Sequence, residues 1–310
     1  MDFNNQTKLL VFIAITFAIS WVTAFFMYYN GIVPNTPPAM LMVAVCYLCS
    51  PAISALLVQK IYYEKPLSDI GFTFKHTTWK QVISIPCIYL LWVFVFLMSV
   101  FIAGNLLHLG GWGELTFASD AIHKNILKTI VEKDKMEVLK NLPSVPILFL
   151  MTILSPLLLG ASLRVLLGLG QELGWRGFLQ HELSNFSLPK RNFMIGFLQG
   201  IWYIPLVVLQ HETSTDKLIG IVLMVLYCVS FSFLVGSMYQ KIKTIWAIAS
   251  FQAMVAFLHG SISIFFLYHS DWISSVLGVA GILTNLVVYF LFHTYSKNIP
   301  FFYEKDSTTI

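Results

Sequence analysis

The polar and apolar residues of this chain form long apolar runs separated by short polar segments. A membrane helix needs about 20 mostly apolar residues. None of the long runs alternates with the period of two that membrane barrel strands require. The pattern therefore predicts an all-α polytopic membrane protein, a bundle of about eight transmembrane helices in a single membrane domain over residues 1–310. The eight runs are 9–29, 39–60, 82–106, 145–170, 192–210, 218–239, 244–267 and 273–293.

Composition supports the same fold class. Hydrophobic residues make up 57% of the chain, charged residues only 11%, and the mean hydropathy is +0.76. Soluble domains carry about 25% charged residues. We therefore expect an integral membrane protein that is embedded in the lipid bilayer. The net charge of +4 is spread over the loops, so a nucleic-acid partner is not expected.

The distribution of Lys and Arg predicts the orientation in the membrane. With a cytoplasmic N-terminus, the inner segments carry twelve Lys and Arg residues and the outer segments carry six. Five of those six lie in the long 107–144 loop, where the positive-inside rule is weaker. Both termini are therefore predicted to be cytoplasmic.

The 107–144 loop is predicted to be extracytoplasmic and to contain an amphipathic helix. Ile122, Ile126 and Ile130 follow one another at a spacing of four, with Lys and Glu residues between the apolar positions. Such a stripe is typical of a helix with one buried face. It predicts either a lid that packs on the bundle or a surface that binds a partner, and the sequence leaves both open.

Ionisable side chains inside apolar runs are costly and by default suggest a functional site. The candidates are Arg164, Glu172, Arg176 and His259. Glu172 and Arg176 are four residues apart, so on a helix they can pair. We expect them to form a structural ion pair at a helix junction.

Three stretches extend this picture: GLGQELGWRGFL at 168–179, FLQGIWYIPL at 197–206 and ASFQAMVAFL at 249–258. In order and spacing they resemble the CAAX-protease and bacteriocin-processing (CPBP, Abi) family of intramembrane endopeptidases. The resemblance covers a core of about 145–267. It implies a helical bundle in which a glutamate and a histidine activate a water, while residues of the third motif hold the water or metal and the oxyanion. It also leads us to expect the bacterial cytoplasmic membrane as the location.

The chain departs from the family pattern at every position to which the resemblance assigns chemistry. The motif's second glutamate and its arginine are kept as Glu172 and Arg176, and a phenylalanine of the second motif falls on Gln199. The first glutamate, the second-motif histidine, the third-motif histidine and the third-motif Asn or Asp fall respectively on Gln171, Tyr203, Gln252 and Ala256.

These replacements remove the expected chemistry. A general base must take up a proton near the working pH, which an amide cannot do and a tyrosine, with an ordinary pKa of about 10, does poorly. Catalytic zinc needs about three N, O or S ligands. We therefore expect no intact catalytic residue, no metal and no cofactor. Four neighbouring side chains are not expected to reach these four family positions and replace the lost groups: His181, Glu182, His211 and His259.

The leading hypothesis is a pseudoenzyme, catalytically degenerate within its family. It would be a membrane scaffold or regulator that binds a partner protein or a membrane-associated peptide through the bundle or the 107–144 loop. The alternative is an active intramembrane endopeptidase with a changed active site, or an inactivated variant of one. A transporter is not favoured, because no inverted repeat is visible and the buried charges are few.

Overall fold

The described part of the chain is a bundle of α-helices, several of which continue into a π-helical segment. The computed structural model describes residues 3–32, 36–62, 64–72, 79–129, 141–159, 164–210 and 217–295. The helices are α1 (Phe3–Tyr29), α2 (Pro37–Met42, continued by Val43–Tyr47), α3 (Ser50–Leu56, continued by Leu57–Tyr62), α4 (Trp79–Val100, continued by Phe101–Leu106), α5 (Ser119–Thr129), α6 (Val145–Leu159), α7 (Arg164–Glu172, continued by Leu173–Leu179 and the turn Gln180–Glu182), α8 (Leu188–Gln210), α9 (Lys217–Ile242), α10 (Ile245–His259), α11 (Asp271–Ser274) and α12 (Val279–Tyr295).

Within these ranges, six helical stretches are long and apolar enough to cross a membrane, which confirms the all-α polytopic fold. They are Thr7–Tyr29, Pro37–Lys60, Ile83–Leu106, Leu188–Leu209, Lys217–Ile242 and Asp271–Tyr295. The predicted runs 145–170 and 244–267 fall instead on the shorter apolar helices Val145–Leu158 and Ile245–His259. A 15-residue helix is about 22 Å long, less than the roughly 30 Å hydrocarbon core. The exact number of spans and the cytoplasmic termini stay predictions.

The prediction that 244–267 is one continuous helix is wrong at its carboxyl end. Helix α10 ends at His259, and a 3₁₀ turn at Ile262–Phe265 and the strand β2, Phe266–His269, follow. β2 pairs antiparallel with β1, Trp112–Leu115, with Glu114 opposite Leu267. No pattern in the sequence predicts this small sheet. Phe266 lies in the main core and Trp112 and Leu115 pack against it. A hydropathy profile does not distinguish such residues from those of a lipid-facing helix.

Helix α5 covers the bundle as a lid. Ile122 is fully buried and Ile126 is 7% exposed, and both belong to the main hydrophobic core. The Asn125 side-chain amide donates hydrogen bonds to the carbonyl oxygens of Ile264 (3.0 Å) and Phe266 (3.1 Å). Of the two interpretations of the amphipathic stripe, the described residues support the lid. Ile130 and the rest of 130–140 lie outside the described residues.

The first motif, 168–179, lies on the buried part of α7, and its glycines allow close packing. A Cβ atom on Gly174 would lie 2.4 Å from Pro51 Cβ of α3, and one on Gly168 would lie 2.4 Å from the Ala249 carbonyl oxygen of α10. Small residues let membrane helices approach this closely. The glycines therefore place the motif between α3 and α10.

Gly174→Ala is expected to destabilise the fold, because the added methyl group overlaps Pro51. Overpacking typically costs about 1–3 kcal/mol, which would appear as a lower melting temperature in detergent. Gly110→Ala is the matched control, since nothing lies within 4 Å of a Cβ atom built there. Equal melting temperatures for the two variants would contradict the close-packing argument.

Candidate functional site

A buried ion pair joins α7 to its π-helical continuation and to α8. Arg176 Nη1 donates to Glu172 Oε1 at 3.1 Å and to Gln199 Oε1 at 2.9 Å. The Glu172 and Arg176 side chains are both fully buried, and Gln199 is 2% exposed. A buried cation is tolerated only when a counter-charge and hydrogen bonds compensate for lost water. This three-residue contact therefore fixes α8 against the motif helix.

Gln199 has a structural role that its place in the second motif does not predict. The resemblance assigns a phenylalanine to its position, and here the side chain supplies an amide oxygen to Arg176. One signal was available in the sequence: Gln199 is a polar residue inside an apolar run, four residues before Tyr203. Residues at that spacing share one face of a helix.

Three of the four family positions meet in a second hydrogen-bonded group, which we call the neutral cluster: Gln171, Tyr203 and Gln252. Gln171 Oε1 accepts hydrogen bonds from the Tyr203 hydroxyl at 2.7 Å and from Gln252 Nε2 at 2.9 Å. The residues come from α7, α8 and α10. The structure thus brings together side chains that are 32 and 81 residues apart in sequence.

A cavity of about 340 Å³ lies elsewhere in the bundle, and a smaller one of about 150 Å³ adjoins the neutral cluster. Gln199, Tyr203 and Gln252 form part of the smaller cavity's wall. Ala256, the fourth family position, also lines it and is exposed. A cavity of about 150 Å³ can hold a molecule the size of benzene. The space therefore admits one side chain and is too small for a helix.

His259 lines the same cavity, close to where α10 ends. The cavity extends along α10, so Gln252 and His259, two turns apart, both line it. The expectation that His259 does not reach the neutral cluster itself stays a prediction. His259 is the one titratable imidazole among the lining residues that the structure describes.

Glu182 and His181 serve a different contact. Glu182 Oε1 lies 3.9 Å from Lys8 Nζ of α1 and 3.7 Å from His181 Nδ1. Burial raises the pKa of Glu182, but the hydrogen bond with His181 and the positive charges of Lys8, His181 and Lys65 outweigh it, so the pKa lies below its ordinary value. Glu182 therefore ties α1 to the end of the motif helix. His211 lies outside the described residues.

The chemistry of the neutral cluster is limited to hydrogen bonding. Two amides and a phenol carry no charge and do not fit the donor set of a catalytic zinc ion, which is His, Cys or carboxylate. Over the described ranges, no three His, Cys, Asp or Glu side chains come together in a way that could hold a metal. No reaction step through a metal is therefore derived for this site.

Comparison with protein families matches residues 148–258 to the family described as Rce1-like, Type II CAAX prenyl endopeptidase Rce1-like. The matched segment contains the ion pair, Gln199, the neutral cluster and Ala256. The match confirms the family resemblance of the three motifs over that segment. No curated protein matches the chain. Together with the apolar helices, the family match identifies an integral membrane protein.

Removing one partner of the buried pair is expected to destabilise the protein strongly. Glu172→Ala or Arg176→Ala leaves an uncompensated buried charge, which typically costs about 3–5 kcal/mol. Gln171→Ala removes only neutral hydrogen bonds, at about 1–3 kcal/mol. Folded yield and melting temperature in detergent measure the difference. A Glu172→Ala variant as stable as the unmodified protein would refute the structural role of the pair.

The donor set also predicts that purified protein holds no stoichiometric zinc. Elemental analysis is expected to give a zinc-to-protein ratio near zero, and a chelator is expected to leave the melting temperature unchanged, because the amides and phenol bind zinc weakly. A ratio near one that falls in the Gln252→Ala variant would show that the ligand argument is wrong.

Proposed function

We propose that this protein, whose residues 148–258 match the Rce1-like family of CAAX prenyl endopeptidases, is a non-catalytic member of that family. It acts as a membrane scaffold or regulator by binding another protein or a peptide. The observation that carries the proposal is the neutral cluster, in which Gln171 accepts two hydrogen bonds where the family has a catalytic glutamate.

The hydrogen bonding itself opposes catalysis at Gln171. An amide oxygen has two lone pairs, and Gln171 Oε1 already accepts from Tyr203 and Gln252. The oxygen therefore has no further lone pair with which to orient a water, and an amide has no basicity with which to deprotonate one. Glu172 does not substitute for it, because its carboxylate is paired with Arg176.

The cavity beside the neutral cluster is the proposed docking point for the partner. Its wall is apolar at Met224, Phe231 and Leu277 and polar at Gln199 and Tyr203. The small, exposed side chain of Ala256 leaves the space open where the family has Asn or Asp. A partner that inserts one apolar or aromatic side chain would use this space as interfaces use anchor pockets.

One observation favours the alternative, an endopeptidase with a changed mechanism. His259 lines the cavity, and histidine is the side chain whose ordinary pKa best suits a general base at neutral pH. In that case the family's water would be activated from α10 and not from α7. The two functions differ in whether His259 is required for cleavage of a peptide.

Filling the cavity is expected to abolish partner binding. Ala256→Trp places a large ring in the docking point, whereas Ala256→Ser keeps its volume. Pull-down from native membranes in mild detergent, followed by identification of the bound proteins, is expected to recover a stoichiometric partner with the unmodified protein and with Ala256→Ser. The partner is expected to be missing from Ala256→Trp.

A second control tests the lid. Lys124 and Lys128 are exposed on the outer side of α5, so Lys124→Glu with Lys128→Glu is expected to retain the partner. Ile126→Asp is not suitable, because it buries a carboxylate in the core. If the partner is lost only from the variant with Lys124→Glu and Lys128→Glu, the binding surface lies on α5 and not at the cavity. The unmodified protein is also compared with His259→Ala for cleavage of a prenylated reporter peptide. Cleavage that is lost in His259→Ala would show that the protein is an endopeptidase and would refute the scaffold proposal.

A further inference from the structure

The larger cavity, about 340 Å³, lies where α7 begins and is bordered by α1, α2 and α8. Its wall is formed by apolar side chains, among them Met27, Val43 and Leu206. Arg164 is the one charged side chain among the lining residues that the structure describes. Of the ionisable residues that the sequence places inside apolar runs, Arg164 is the one that takes no part in the candidate site. This cavity, which we call the groove, has apolar walls and a single cation. Its polarity is therefore complementary to that of an anionic amphiphile.

Arg164 is available to a ligand. Its guanidinium carbon lies 4.5 Å from the centre of the Phe257 ring, and the side chain is exposed. In the described parts of the chain, the ion pairs involve other residues, and none gives Arg164 a carboxylate partner. A cation inside an apolar membrane run is costly unless something pairs with it. No described residue supplies that counter-charge, and a bound anion would supply it.

The guanidinium group of Arg164 selects an anionic head group. It forms paired hydrogen bonds to phosphate oxygens, and its positive charge attracts the net negative charge of an acidic lipid.

We propose that this groove binds one anionic phospholipid of the surrounding bilayer, with its phosphate at Arg164 and an acyl chain along the groove. Since about 150 Å³ holds benzene, a cavity of about 340 Å³ holds on the order of a dozen carbon atoms of a chain. The site is separate from the neutral cluster and does not depend on the proposed function.

The surroundings identify a bilayer lipid as the occupant. Met40, which lines the groove, is 61% exposed, and Leu41 and Leu166 beside it are 65% and 53% exposed. Met40 and Leu41 belong to the apolar stretch Pro37–Lys60, so these side chains face hydrocarbon when the bundle is in a membrane. A ligand that enters from hydrocarbon and carries a negative charge is a lipid.

The test compares phosphatidylglycerol with phosphatidylcholine of identical chains by native mass spectrometry of the full chain in detergent. Both head groups contain a phosphate, but the choline cation cancels its charge in phosphatidylcholine, so the unmodified protein is expected to retain about fivefold more of the anionic lipid. Arg164→Gln is expected to remove the preference, and Arg164→Lys is expected to keep part of it.

Two further variants separate charge from groove. Lys190→Gln is the matched control, because Lys190 also lies 4.5 Å over an aromatic ring, that of Phe186, but does not line the groove. It is expected to bind like the unmodified protein. Ala44→Phe narrows the groove and is expected to weaken both lipids. Equal retention of the two lipids by the unmodified protein, or an unchanged preference in a folded Arg164→Gln variant, would overturn the proposal.

Discussion

The burial of the Arg176 guanidinium is the constraint on which the site depends. A charge that leaves water must be met by a counter-charge and by hydrogen bonds. Glu172, one turn earlier on the same helix, supplies the charge, and Gln199 of α8 supplies a further acceptor. Because both contacts require close approach, α7 and its continuation lie deep between α3, α8 and α10, where only glycine fits at Gly168 and Gly174.

The neutral cluster follows from that placement. Once α7, α8 and α10 are fixed, Gln171, Tyr203 and Gln252 face one another, and Tyr203 and Gln252 both donate hydrogen bonds to Gln171. Amides and a phenol can be buried at moderate cost when they are hydrogen-bonded, whereas an unpaired carboxylate or imidazolium cannot. The fold thus keeps the charged pair that holds it together and has neutral residues at positions to which the family resemblance assigns ionisable groups.

The sequence predicts the fold class and the positions that meet in the site more fully than it predicts the ends of the helices. Long apolar runs have few structural alternatives in a membrane. The four-residue spacing of Glu172 and Arg176 predicts an ion pair between side chains of one helix. Hydropathy does not distinguish a side chain that faces lipid from one that packs on protein. The sheet of β1 and β2, the end of α10 at His259 and the lid function of α5 depend on that distinction. The roles of Gln199 and His259 depend on contacts between helices, which local periodicity does not encode.

The proposed function requires that this site performs no hydrolysis. Its most direct test is the turnover of a prenylated reporter peptide by the purified protein in lipid nanodiscs, beside a variant with Gln171→Glu, Tyr203→His, Gln252→His and Ala256→Asn. The variant restores the side chains that the family resemblance assigns to those positions. The unmodified protein is expected to show no turnover above a protein-free blank. Turnover by the unmodified protein that is lost on Gln171→Ala would contradict the proposed function.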